Sequence, residues 1–364
     1  MERVSQSQIY MLFSLFLFTT TLGFFTNTLT RNAHFMSWLS LIIGAAVGLM
    51  ITYLSYRLAI RRPTQFLGNY GKDILGWLHY PLMGTMIICF IVSASTVTRQ
   101  LQDYIVVVYL PGTPEWAVSA LFGICLAYSV RSGVGTIFRC SQGIFFLSII
   151  GVLIVPFFVH HEIMSPMAIA LVNHLDWKGV WNGAYLITAL FAEMAYIPFL
   201  FPFFTSSNKT MKSLGLATAT SVFIVLSNLI PIILVFGPHL ASNLPYPQLE
   251  LIRNIQAGSA LESLDPLLFS VWLASLFIKA SLFIYLAIIS LTQTLSLKDH
   301  KPFSFSMTAM VVGCAIYMVR SKTELDELFG NGEFAFLLIS ELIPVVYLIV
   351  DWIRSSKLKQ EKTS

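Results

Sequence analysis

The sequence predicts an all-α integral membrane protein of about ten transmembrane helices, arranged as two inverted halves of five in which helices one and six are broken. Three observations lead there. Hydrophobic residues make up 56% of the 364 and charged residues 11%, with a mean hydropathy of +0.75, too little charge for an ordinary soluble domain of this length. Apolar runs of about 20 residues, enough to cross a hydrocarbon core of roughly 30 Å, recur from end to end. Polar residues and helix breakers interrupt the first and sixth of these runs. Those are corresponding positions in two halves of five, an odd number inverts the second half, and paired interruptions of this kind point to a midplane binding site.

The runs leave no room for a separate soluble domain, so residues 1–364 read as one transmembrane domain. Its halves span about 1–160 and 177–355, with a tail at 356–364. Span one, about 9–28, is too long for a signal-peptide core and lacks a small-residue cleavage pattern after it, so it is expected to stay in place. Its patch TTTLGFFTN carries Gly23 and Asn27. The threonines could bond their own helix carbonyls and leave the helix continuous, whereas Gly23 and Asn27 favour a break. Span two, 35–59, carries Gly44 and Gly48 in the spacing that lets helices approach closely.

The segment from Arg61 to His79 is too polar to span and reads as an interfacial amphipathic element. Span three, 80–97, is expected to continue as helix past Arg99 and Asp103. Its Ser93, Ser95 and Thr96 serve either helix contact or ligand contact. Spans four, 116–130, and five, 144–159, follow. The cluster His160, His161, Glu162 has no fourth ligand, and adjacent histidines do not share a helix face, so it reads as loop rather than metal site. Trp177 and Trp181 are placed as interface anchors.

Span six contains FAEMAYIPFLFP, residues 191–202. A carboxylate at mid-membrane costs about 2.5 to 3.5 kcal/mol on the insertion scale, so Glu193 needs a partner or a purpose. Pro198 lacks a backbone donor and clashes with the preceding turn, freeing the carbonyl near Met194. Such breaks persist only where protein or a watered cavity satisfies the freed groups. Half-helix N-termini there would offer N–H groups to a carboxylate. Span seven, 214–236, is followed by the longest polar stretch, 237–264, in which LELIRNIQAGSALESL could form a helix over the surface. Span eight, 266–295, carries Lys279 about 13 residues, roughly 20 Å, from either end. That is beyond snorkelling reach, so an internal partner or cavity is expected. Spans nine, 303–319, and ten, 334–352, complete the set. Glu341 in span ten either pairs with Lys279 or reaches a helix end.

Of the 22 Lys and Arg, 15 fall on the side of the termini, 6 on the other, and Lys279 within a span, which makes both termini cytoplasmic. No basic run points to nucleic acid. Cys89, Cys125, Cys140 and Cys314 have no paired spacing and read as small buried hydrophobes. No Ser-His-Asp arrangement, metal motif or phosphate loop is visible, so neither an enzyme nor a cofactor is expected.

Several pieces, in order, resemble one family: LGFFTN in span one, GNYGKDILGWLHYPL before span three, VTRQ around Arg99, SGVGTIFR after span four, FAEMAYIPFLFPF in span six and VWLASLFIKASLFIYLA in span eight. Over nearly its whole length the chain is similar to the B subunit of spore-germinant receptors, the spore germination permease family of the amino acid, polyamine and organocation superfamily. The resemblance implies a LeuT-like inverted-repeat fold. It also implies a germinant of the amino acid class as ligand, and a complex in the spore inner membrane with A-type and C-type subunits. The ligand is then expected between spans one, three, six and eight. Span one would contribute Thr20, Thr21, Leu22, Gly23 and Phe24, and span three Ser93. Phe191, Ala192, Glu193 and Tyr196 would come from span six, and Trp272 and Lys279 from span eight. The alternative is a secondary amino acid or polyamine transporter, with Lys279 in the place of a sodium ion or proton. Glu193 is expected either to meet ligand, proton or water, or to pair with Lys279. An acidic side chain repels a ligand carboxylate, so backbone groups of the breaks suit that end and Glu193 suits an ammonium.

Overall fold

A computed structural model of the chain describes residues 3–159, 165–255, 264–318, 324, 332 and 334–361. Ser5 opens α1 (Gln6–Thr20) with a capping box, its hydroxyl accepting from the Gln8 N–H while the Gln8 side chain accepts from the Ser5 N–H. A π-helical turn, Thr21–Phe25, joins α1 to α2 (Thr26–Ala33). Then come α3 (Ser37–Ala59), the short α4 (Leu67–Leu75), α5 (His79–Val108), α6 (Glu115–Arg131), α7 (Val134–Leu153) and α8 (Val155–Val159). The connection between spans five and six holds α9 (Ser165–Asn173). Helix α10 (Trp177–Ala192) gives way to 3-10 turns at Glu193–Phe199 and Phe201–Phe203. The chain continues through α11 (Thr210–Asn243), α12 (Pro247–Ile255), α13 (Leu264–Thr294), α14 (Phe303–Met318) and α15 (Phe334–Glu361).

All ten expected spans are helical. Among the described residues six helical runs are long and apolar enough to cross a membrane: Gln6–Ala59, which holds the first two spans, Leu67–Val108, Val134–Val159, Ser207–Asn243, Pro266–Thr294 and Phe334–Ser355, with Phe303–Met318 a shorter apolar helix. Large apolar side chains such as Met50, Ile88, Leu121, Phe157, Phe223 and Ile339 face outward. Contiguous exposed apolar surface on that scale belongs against hydrocarbon.

Helices α3 and α10 pack at the closest approach the sequence anticipated. A Cβ on Gly44 would sit 2.6 Å from the Ala184 carbonyl oxygen, and one on Gly48 2.7 Å from Phe191 Cβ. Ser40 donates to the Val180 carbonyl and Thr188 to that of Gly44 across the same seam. The first described residues and the α15 segment around Asp351 lie at one end of the bundle. Val4 exchanges backbone bonds with Phe203 and Thr205, and Arg61 and Arg62 beyond α3 pair with Asp351 near the end of α15.

Several expectations are revised. Helix α12 does not merely lie over the surface. Leu249, Leu251 and Ile252 are buried, and Gln248 donates to Asn228 of α11 at 2.7 Å; residues 256–263, the rest of that expected helix, fall outside the described residues. So do His160, His161 and Glu162. The helix of span three does continue past Arg99 and Asp103, as expected; Arg99 is 1% exposed, paired with Asp103 at 3.0 Å and Glu115 at 3.1 Å. Of the cysteines only Cys89 is buried; Cys125, Cys140 and Cys314 are exposed on outward faces, where an apolar surround makes a thiol as acceptable as in a core.

Candidate functional site between the two breaks

At the bundle centre, Lys279 of α13 meets Glu193 where α10 ends. The Nζ donates to Glu193 Oε2 at 2.7 Å and to Thr20 Oγ1 at 3.3 Å, and it stands 4.2 Å from the Phe16 ring centroid. An ammonium has three donor directions; here they meet a carboxylate, a hydroxyl and a π-face, the last an attraction that strengthens when water is excluded. Lys279 and Glu193 are 3% and 5% exposed.

The local sequence explains why these groups converge. Glu193 caps the C-terminus of α10, and Pro198 prevents the α-ladder from continuing, so the chain tightens into 3-10 turns. The carboxyl is thereby released from a helix face toward α13. Lys279 sits at the middle of its 31-residue helix, too far from either end for its side chain to reach bulk water.

The break in span one takes a different form from the one expected. It is a π-turn, not an unwound stretch, with Phe25 at φ −121°, ψ 2°. Thr19, Thr20, Thr21 and Thr26 donate back to carbonyls of their own helix, so the continuous-helix reading of the threonines holds alongside the local widening. The helix continues into α2 with no half-helix N-terminus there.

The pair borders a cavity of about 20 Å3, room for about one water. It is lined by Thr20 and Phe25 of span one, by Ser93, Thr96, Val97 and Gln100 of α5, by Leu190 and Glu193 of span six, by Lys279 and Phe283 of α13, and by Leu337 of α15. Of the residues expected from sequence, Thr20, Ser93, Glu193 and Lys279 come together here. The others surround it. Gly23 packs under Trp272, a Cβ there meeting the indole at 3.5 Å. Phe24 and Trp272 belong to an aromatic cap with Tyr104 and Tyr246. Phe191 and Ala192 face Gly48 of α3, Thr21 and Leu22 are fully buried in the packing, and the Tyr196 hydroxyl meets Ser340 at 2.7 Å. The sequence did not single out Phe16 or Gln100, and Thr96, which it left open between helix contact and ligand contact, lines the cavity. Ser93, Thr96, Val97 and Gln100 follow the i, i+3, i+4, i+7 spacing of one helix face, a signal that was present.

Aromatic clusters flank both sides. On the side away from the termini stand Phe24, Tyr104, Tyr246, Trp272 and Phe269; toward the termini, Phe66 meets Phe203 and Phe203 meets Tyr285. A polar, charge-paired centre thus lies between two interrupted helices, with aromatic clusters on either side of it.

Solved structures place that architecture. The fold superposes with a TM-score of 0.76, at 12% identity, on the structure titled "Crystal structure of MhsT in complex with L-phenylalanine", covering 94% of this chain and 88% of that one. For Mhp1, a nucleobase-cation-symport-1 family transporter in a closed conformation with bromovinylhydantoin bound, the TM-score is 0.62 at 11% identity, covering 95% and 78%. The fold is LeuT-like. A family model described as "Spore germination protein" matches residues 3–323, and the chain belongs to that family. It is 27% identical over 289 residues to spore germination protein XB of Bacillus anthracis, covering 77% of this chain and 78% of that protein. To spore germination protein KB of Bacillus subtilis strain 168 it is 25% identical over 315 residues, covering 81% and 80%.

Proposed function

We propose that this chain is the germinant-sensing membrane subunit of a spore germination receptor, and that its ligand is a small zwitterion of the amino acid class. The observation that carries the reading is the buried Lys279–Glu193 pair between the break of span six and the middle of α13. A carboxylate and an ammonium held 2.7 Å apart are the two ends of an amino acid, supplied by the protein to itself. A zwitterion entering between them would satisfy both, its ammonium on Glu193 and its carboxylate on Lys279. Lys279 thus takes the role that the sequence assigned to backbone groups, because the first break offers no free helix N-terminus.

The cavity is too small for an amino acid while the pair is closed, so binding separates α13 from the break. A ligand shifts a conformational equilibrium only through differential affinity for two states. Here the closed state has its charges satisfied internally and the open state satisfies them through the ligand. The likeness of the fold to that of MhsT, solved in complex with L-phenylalanine, supports the class. In this reading the pair acts as a sensor, not as catalytic machinery. Partners of A-type and C-type, the spore inner membrane and cytoplasmic termini complete the proposal, the last resting on the 15 to 6 bias of basic residues.

The experiment is a thermal-shift panel on purified protein in nanodiscs. Each of the twenty amino acids is compared with the matching amine and carboxylic acid, using wild type, Glu193→Gln and Lys279→Met. Stabilisation by an intact amino acid, lost with either analogue and in either variant, is expected. An unchanged shift in both variants would remove the site, and robust counterflow of the labelled amino acid by this chain alone would favour a transporter.

A further inference from the structure

Behind the cavity lies a second carboxyl that the pair does not use. Glu341 of α15 is fully buried, and among the described residues neither of its carboxyl oxygens has a hydrogen-bond partner. It stands one turn after Leu337, which lines the cavity. Its neighbour Ser340 bonds the Tyr196 hydroxyl, three residues beyond Glu193 in the break. Helix α15 packs on α3, α4, α5, α10 and the break. Among the described residues, the charged groups that act on Glu341 are Glu193 of the break and Lys279 of α13. Its titratable neighbours are Cys89 of α5 and Tyr196 of the break, and α3, α4 and α10 contribute no charge that reaches it.

The buried charges therefore do not balance. One ammonium faces two carboxyl groups, and its donors are already committed to Glu193, Thr20 and the Phe16 ring. A carboxylate left alone in this interior is far costlier than a neutral group. We propose that Glu341 is a proton-binding site, and that its proton is held in place by the charge of Glu193. A metal ion fits less well, because hard cations require six or more oxygen ligands. The hydroxyl of the adjoining Ser340 is already engaged with Tyr196 and the Leu337 carbonyl.

The proton sets the net charge of the cluster. With it, Lys279, Glu193 and Glu341 sum to zero, which suits a zwitterion; without it they sum to one negative charge, which suits a ligand bearing an additional ammonium. This consequence for ligand choice rests on the ligand reading above. The proton site does not, so the test uses no ligand.

Infrared difference spectroscopy of the full chain in nanodiscs reads it directly. Wild type at neutral pH is expected to show a protonated carboxylic acid C=O band that shifts in deuterated buffer, disappears in Glu341→Gln and changes frequency in Glu341→Asp. The Asp variant keeps the test alive if the Gln variant does not fold. Glu193→Gln is expected to abolish the same band, since Glu341 then becomes the counter-charge of Lys279. Identical spectra for wild type, Glu341→Gln and Glu341→Asp would overturn the site. A band that persists in Glu193→Gln would overturn the coupling, and one that vanishes when sodium or potassium chloride is added at fixed pH would replace the proton with a metal cation.

Discussion

Span one and span six are both interrupted at the level of the cavity, yet they differ in what the interruption releases. In span one the ladder widens into a π-turn, and four threonine hydroxyls bond back to the helix. The helix contributes side chains, Thr20 and the Phe16 ring, and little free backbone. In span six the ladder tightens into 3-10 turns around Pro198, and the carboxyl of Glu193 is turned onto Lys279. The difference teaches that one break shapes the cavity wall and the other carries the charge. Mutations in the two should therefore separate.

The largest effect is expected at the charged break. Lys279→Met strands Glu193 in the interior and should cost about 3 to 5 kcal/mol, as breaking a buried pair does. Replacing both partners, Lys279→Met with Glu193→Gln, should recover most of that stability without restoring a ligand response. Thermal unfolding of the four proteins of this cycle checks it, and a double variant no more stable than Lys279→Met alone would show that the pair is not the relevant unit. Next comes the seam that supports the break. Gly48→Val places a side chain against Phe191 and the backbone of Ala192, and overpacking of this kind typically costs about 1 to 3 kcal/mol. A midpoint equal to wild type would mean α3 does not hold span six in place.

Pro198→Ala restores a donor and lets α10 run on through the break. The expected result is a stability change of about 1 kcal/mol or less together with loss of the thermal shift given by amino acids, because Glu193 would be drawn back onto a helix face. The smallest effect is expected in span one. A Cβ at Gly23 lies 3.5 Å from the Trp272 ring, an ordinary contact, so Gly23→Ala should unfold within about 1 kcal/mol of wild type and keep its ligand response. If Gly23→Ala were as damaging as Pro198→Ala, the contrast between the breaks would fail.

Much of this was legible in the sequence. Apolar runs gave the ten helices because length and hydropathy alone govern what spans hydrocarbon. Glu193, Pro198 and Lys279 stood out because a charge or a proline within a span is expensive, and G-x-x-x-G marked the α3–α10 seam. The form of the first break was not legible. TTTLGFFTN is compatible with a continuous helix, a π-turn or an unwound segment, and packing under Trp272 accompanies the outcome. Phe16 was hidden for a similar reason: a phenylalanine in an apolar run carries no sign that its face will meet an ammonium 263 positions away. Glu341 was visible as a costly residue, but its lack of a partner emerges only once Lys279 is seen to be taken by Glu193.

The central claim is that ligand replaces an internal pair, and the most direct measurement is the separation of Lys279 Nζ and Glu193 Oε2 in a structure determined with a stabilising amino acid bound. The account predicts that both groups end on the ligand, the ammonium of the amino acid on Glu193 and its carboxylate on Lys279, with the two side chains no longer in contact. An amino acid bound elsewhere while the pair remains closed at 2.7 Å would contradict it.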